Sequence, residues 1–132
     1  MKALLLIAPA ADFTQALMAA NLPAEAKAAL AATGRWARPS AYGDGPYVIT
    51  QRLIDDGGQW LLLDKTIPFA GPVRILQGMQ DPDVPWRHAL LTLERLASSD
   101  VRMSLVKDGD HRLSREQDIA LLLRTAEELS SA

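Results

Sequence analysis

The chain has 132 residues, 48% hydrophobic and 23% charged, with a net charge of −2. This is enough for one domain with a buried core, and it lacks the basic footprint that would indicate a nucleic-acid partner. Cysteine is absent, which excludes disulfides, thiolate catalysis and cysteine metal sites and suits a reducing compartment such as the cytoplasm.

Ala3 to Ala8 is a continuous apolar run closed by Pro9. It reads as a short strand buried on both faces of a parallel sheet, with a helix as the rival because leucine dominates it. The run stops at Pro9 and Asp12, too soon for a secretory signal. No segment reaches the roughly 20 apolar residues of a membrane span. Asp12 or Thr14 is placed to cap a short helix through Ala20. Pro23 suits the first turn of a second helix, to Thr33, which Gly34 ends. From Arg35 to Pro46 glycine, proline and aromatics give a loop or cap region without periodicity. Thr50 is positioned to cap a helix from Gln51 to Asp56, ended by Gly57 and Gly58.

Val73 to Gln77 is strand-like, and Pro85 opens a helix to Ala97 with Ala89, Leu90, Leu93 and Leu96 on one stripe. Val101 to Val106 alternates as a strand with one less buried face. Ser114 and Gln117 form a capping-box pattern ahead of a last helix whose stripe is Ile119, Leu122, Leu123, Ala126 and Leu129. The alternation predicts one α/β domain over residues 1–132, with about three parallel strands flanked by helices.

Asp81 follows one of these strands and His111 follows the next. Strand ends of a parallel sheet are where reacting groups collect, and a carboxylate beside an imidazole fixes its tautomer and stabilises the imidazolium. Each residue also has a plainer reading. Asp81 and Asp83 precede a helix and could serve as caps, and His111, among Asp108, Asp110 and Arg112, could be a solvated loop residue.

At these residues the chain resembles the C-terminal part of an α/β-hydrolase of the serine esterase and acyl-thioesterase kind. Gly78, Asp81, Val84 and Pro85 match the pattern around the family's acid, and Gly109, Asp110 and His111 match the turn carrying its base. Leu5 to Ala11 resembles the strand after the nucleophile helix. The stretch from Val73 to Gly78 and the tail through Leu129 resemble enzymes near the palmitoyl-thioesterases and acyl-glucuronide esterases. The resemblance implies a catalytic Asp81–His111 pair, a helical cap-like insertion over 12–70, and a strand–helix–strand–helix segment over 71–132. The family's nucleophile elbow has no counterpart: Ser40, Ser98, Ser99, Ser104, Ser114, Ser130 and Ser131 all lie outside a Gly-x-Ser-x-Gly turn.

His88 reads as a surface histidine on its helix, and two histidines without shared spacing give no metal site; no cofactor is implied. Asp55-Asp56-Gly57-Gly58 reads as a helix end. Arg112, Arg115, Glu116, Glu127 and Glu128 read as solvated charges. Trp36, Tyr42, Tyr47, Trp60 and Phe69 suit either an acyl pocket or cap packing. The strand Ala3–Ile7 forms an unpaired edge, so two copies are expected to pair there, unless the cap covers the edge or a separate N-terminal hydrolase half supplies the missing strands. The function readings are a truncated serine hydrolase, weakly active or inactive alone; a non-enzymatic homodimeric binding or assembly module; and an expressed fragment without a role of its own.

Overall fold

The structure is a computed structural model that describes residues 2–40, 43 and 45–131. In chain order its elements are β1 (Leu4–Ile7), a π-type turn (Thr14–Met18), a 3-10 turn (Ala19–Asn21), α1 (Ala24–Thr33), β2 (Arg35–Arg38), β3 (Tyr47–Thr50), α2 (Gln51–Gly57), β4 (Val73–Gly78), α3 (Trp86–Arg95), β5 (Val101–Val106) and α4 (Glu116–Ser131). They divide into two compact units, Met1–Ala11 with Leu62–Ala132, and Asp12–Leu61.

The first unit is a parallel sheet in the order β1-β4-β5. Register sets its core. Leu4, Val73 and Val101 form one cross-strand row, and Leu6, Ile75 and Met103 form the next. Side chains alternate faces with period two, so both rows lie on one face, where Leu93 and Leu96 of the α3 segment pack against them with Ile67 and Phe69. Val73 and Ile75 are fully buried, each contributing about 1.5–3 kcal/mol of hydrophobic stabilisation. Every residue of β4 is buried, as befits the central strand of a sheet covered on both sides.

The other face of β4 holds Arg74, which carries a charge into the sheet. Its guanidinium donates to Asp100 Oδ1 and Glu128 Oε1, each at 2.9 Å. Desolvation opposes the charged form, but these two carboxylates outweigh it and raise the pKa. Glu128 also accepts from Arg102 at 3.2 Å, so it anchors the end of α4 to the sheet and is not a free surface charge. The predicted stripe of α4 is corrected accordingly. Asp118 and Thr125 are the buried residues, while Ile119 and Leu123 are 45% and 58% exposed. Polar anchors, not apolar periodicity, set the rotation of this helix.

The capping box expected from Ser114 and Gln117 is replaced by a device one residue on. The helix begins at Glu116, and Asp118 Oδ2 reaches back to accept from Arg115 N–H at 3.2 Å.

In the second unit, Leu30, Ile49 and Ile54 form the core, with Met18, Ala19, Leu22 and Trp36 packed on it. Pro23 caps α1, and Gly34, at φ 72°, ends it in the left-handed region that glycine enters without steric cost. Thr50 accepts from Leu53 N–H at 3.1 Å and caps α2. Gly57 and Gly58 end that helix, as expected. Two expectations fail in this unit. The segment from Asp12 forms a π-type turn and a 3-10 turn without a side-chain cap. The stretch read as a loop opens with β2, which pairs antiparallel with β3, placing Trp36 opposite Ile49.

Candidate active site

The loops that leave β4 and β5 are joined before they diverge. Met79 N–H donates to Val106 O and Gln80 N–H to Gly109 O, both at 2.9 Å. Gly78 permits this approach, since a Cβ there would overlap the carbonyl oxygens of Gly109 and Asp110. Asp81 and His111 are thereby carried side by side at the carboxyl ends of adjacent parallel strands.

The Asp81 side chain is fully buried and bonded through both oxygens. Oδ1 accepts from the backbone N–H groups of Asp83 and Val84 at 2.8 and 2.9 Å. Oδ2 accepts from His111 Nδ1–H at 2.8 Å and, more distantly, from Gln77 Nε2 at 3.4 Å. The plainer reading of Asp81 thus holds for one oxygen, which organises the local turn, while the other faces the imidazole. His111 keeps 37% of its side chain exposed. With Nδ1–H committed to a carboxylate, the neutral ring presents Nε2 as a proton acceptor.

The loop carrying His111 is clamped at its base. Arg115 donates to Asp108 Oδ2 at 2.8 Å and to both oxygens of Asp118 at 2.8 and 3.1 Å. Inside the clamp, Asp110 Oδ1 accepts from the backbone of Arg112 and Leu113, and Leu113 takes a left-handed φ of 46°. Arg115 and Glu128 were both expected to be solvated charges; Arg115 instead bonds its near neighbours Asp108 and Asp118, and Glu128 meets Arg74 and Arg102 of distant strands. Hydrogen bonds from Arg115 hold the carboxyls of Asp108 and Asp118 below the usual carboxylate range, and the same bonds raise the Arg115 pKa.

Because both folded-state pKa values are depressed, the clamp's stabilisation is complete above the unfolded value of about 3.9 and is lost as pH falls through the folded ones. Urea midpoints measured from about pH 6 to about pH 3 should therefore show the advantage of wild type over Arg115→Met shrinking on acidification. A constant gap would contradict the clamp.

His88 is not a free surface histidine. It is partly buried, and its Nε2–H donates to Ala11 O at 2.7 Å, fixing the chain beyond β1. Among the described residues, the aromatics are spread over separate places. Trp36 lines a groove of about 170 Å³ with Leu17, Met18, Leu22, Arg38 and Ile49, and Trp60 lines another with Phe13 and Leu53. Tyr47 is exposed, Phe69 belongs to the sheet core, and Tyr42 lies outside the described residues. Asp81, Asp83 and His111 bring one potential ligand atom each within 4.8 Å of one another. Both oxygens of Asp81 already accept from N–H groups, which a cation would have to displace, so the set is read as a hydrogen-bonded pair with a neighbouring carboxylate.

The parallel sheet flanked by helices agrees with the comparisons. A bacterial protein of known structure from Agrobacterium vitis S4, provisionally assigned as a hydrolase, superposes with a TM-score of 0.92 at 42% identity, over 97% of this chain and 49% of that one. The α/β-hydrolase domain-containing protein 10 from mouse superposes with a TM-score of 0.83 at 37% identity, over 98% of this chain and 52% of its own. These 132 residues are part of an α/β-hydrolase fold. Among curated relatives, the mouse palmitoyl-protein thioesterase ABHD10, mitochondrial, is 39% identical over 109 residues, 82% of this chain and 37% of that protein. The chain thus spans about two fifths of the length of the curated relatives it matches. No family model matches it.

Sequence reasoning pointed to Asp81 and His111, which the structure brings into hydrogen-bond contact, but missed Gln77 and Arg115, which help to place them. Gln77 and Arg115 carried no signal beyond being polar next to the motifs. Gly78, part of the pattern around Asp81, ends β4 where the backbone of the loop after β5 comes close.

Proposed function

We propose that this chain supplies the acid and base of a serine hydrolase acting on carboxylic esters or thioesters, as the C-terminal part of such an enzyme. The observation that carries the reading is the 2.8 Å bond from His111 Nδ1 to a fully buried Asp81 carboxylate at the tips of neighbouring parallel strands. In this reading His111 Nε2 accepts the proton of a serine hydroxyl as the serine attacks the acyl carbon, then returns it to the leaving alcohol or thiol. Asp81 stabilises the imidazolium formed between the two steps. Within the expected cap span 12–70, the second unit, Asp12–Leu61, acts as the insertion, while Ile67 and Phe69 pack with the sheet and 71–132 carry the acid and base.

Among the described residues, the hydrogen bond of His111 runs to Asp81 and not to a serine. The nucleophile and its oxyanion donors are assigned to sequence outside these 132 residues, or to a separate polypeptide. Alone, the chain is expected to be weakly active or inactive, because positioning and oxyanion stabilisation are then missing. The test is hydrolysis of p-nitrophenyl esters and acyl thioesters by the 132 residues, and by the same residues with any in-frame sequence preceding Met1, each beside a His111→Ala control. Activity in the longer protein that His111→Ala leaves intact defeats the reading. The lack of cysteine keeps the cytoplasm as the proposed compartment, although the mammalian relatives are named mitochondrial.

A second reading rests on β1, whose neighbour in the described sheet is β4 alone. Its outer edge is unpaired, and Ile7 is 43% exposed. Two copies pairing antiparallel along Ala3–Ile7 would close this edge in a six-stranded sheet, making the chain a homodimeric binding or assembly module. Sedimentation equilibrium should then give twice the chain mass. A monomer at high concentration rejects this arrangement.

A further inference from the structure

Gln77 is the last residue of β4 on the face that carries Val73 and Ile75, and it is completely buried. Its Nε2 has three acceptors around it: Gly78 O at 2.9 Å, Val84 O at 3.0 Å and Asp81 Oδ2 at 3.4 Å. Its Oε1 is equally buried, and no donor among the described residues reaches it.

The two halves of the amide therefore contrast. Turned over, the side chain would set Oε1 against two carbonyls and a carboxylate, so Nε2 must face the Asp81 turn even though Oε1 is left unpartnered. A buried polar atom without a partner is costly, and an apolar side chain of similar size would avoid that cost. The amide is thus explained by what its N–H groups hold. They tie Val84 O, where the turn leaves toward α3, to Gly78 O, where it leaves β4. Between these points lie Asp83 N–H and Val84 N–H, the donors that fix Asp81 Oδ1.

We infer that Gln77 is a positioning residue, which closes the turn from Gly78 to Val84 so that Asp81 presents Oδ2 to His111 Nδ1. This rests on the reading of Asp81 as the group that orients the base. Gln77 acts through Asp81 and contacts no reacting atom. With its four N–H neighbours in place, the carboxylate has little freedom to turn. Without Gln77, the turn opens, Oδ1 loses its backbone donors, and the imidazole is free to take either tautomer.

The experiment is long-range ¹H–¹⁵N NMR of the histidine rings in the 132-residue protein, with His111 assigned by His111→Ala. It needs no catalytic activity. In wild type the neutral His111 ring should be almost wholly protonated on Nδ1. In Gln77→Met and Gln77→Glu that form should fall to less than half of the neutral population. Gln77→His, which keeps one N–H donor at comparable reach, should restore most of it.

A merely structural residue would lower the urea midpoint and leave the tautomer unchanged. Folded Gln77→Met or Gln77→Glu protein with the wild-type tautomer overturns the inference. If Gln77→Met fails to fold, the contrast between Gln77→Glu and Gln77→His decides it. Asp83, the other carboxylate near this pair, is constant across the series. A wild-type ring protonated mainly on Nε2 would instead defeat the Asp81–His111 reading itself, so the two failures are distinguishable.

Discussion

Gly78→Ala is expected to destabilise the protein by about 1–3 kcal/mol or more and to part Asp81 from His111. The added methyl would meet the carbonyl oxygens of Gly109 and Asp110. These are backbone atoms and cannot rotate aside. Their loop is also held down by the bonds from Met79 N–H to Val106 O and from Gln80 N–H to Gly109 O, both at 2.9 Å. Relief therefore requires the loop of His111 to lift away from β4 as a body. Overpacking and the loss of these hydrogen bonds act in the same direction. The expected signature is a lowered urea midpoint with loss of the predominance of the Nδ1-protonated form of neutral His111. A stability within about 0.5 kcal/mol of wild type, typical of a neutral surface change, would show that the close approach is not needed.

Asp81→Asn is expected to reduce turnover by about 10⁴-fold in a protein that also contains the nucleophile. Asparagine fills the same volume. Its carbonyl can replace Oδ1 and continue to accept from Asp83 and Val84 N–H, which leaves its NH₂ facing His111 Nδ1 and Gln77 Nε2. Donor then meets donor. The imidazole can escape only by moving its proton to Nε2, the atom needed as base, and the negative charge that stabilises the imidazolium is gone. The measurement is kcat for an ester substrate in Asp81→Asn, His111→Ala and the double variant. Because the pair acts as one unit, the double variant should lose little more than His111→Ala alone. A loss below tenfold in Asp81→Asn would remove Asp81 from the mechanism.

Much of the framework was legible because it depends on local chemistry. Pro23 and Gly34 bound α1, Thr50 starts α2, and Pro85 precedes α3, since each fixes or frees the backbone within a few residues. The buried run of β4 and the apolar segment of β1 implied a parallel sheet. The placing of Asp81 and His111 after successive strands implied that they meet, and they do. The ribbon of β2 and β3 was not legible. Its strands are four residues each and are stabilised by pairing with each other across a gap in sequence, which no local pattern reports.

The sequence by itself determined the β1, β4–α3–β5–α4 framework, most helix ends and the placing of Asp81 and His111 after successive strands, because these follow from backbone preferences and from spacing along the chain. Only the tertiary structure decided which polar residues would be buried. Arg74 enters the sheet because Asp100 and Glu128 come to it from distant segments. Glu128 thereby ties α4 to the sheet, and Ile119 and Leu123 face outward. Gln77 and Gly78 acquire their roles only when the β5 loop and the entry to α3 close around them. A buried charge or amide is tolerated only with its partners in place, and a sequence does not say which partners the fold will bring.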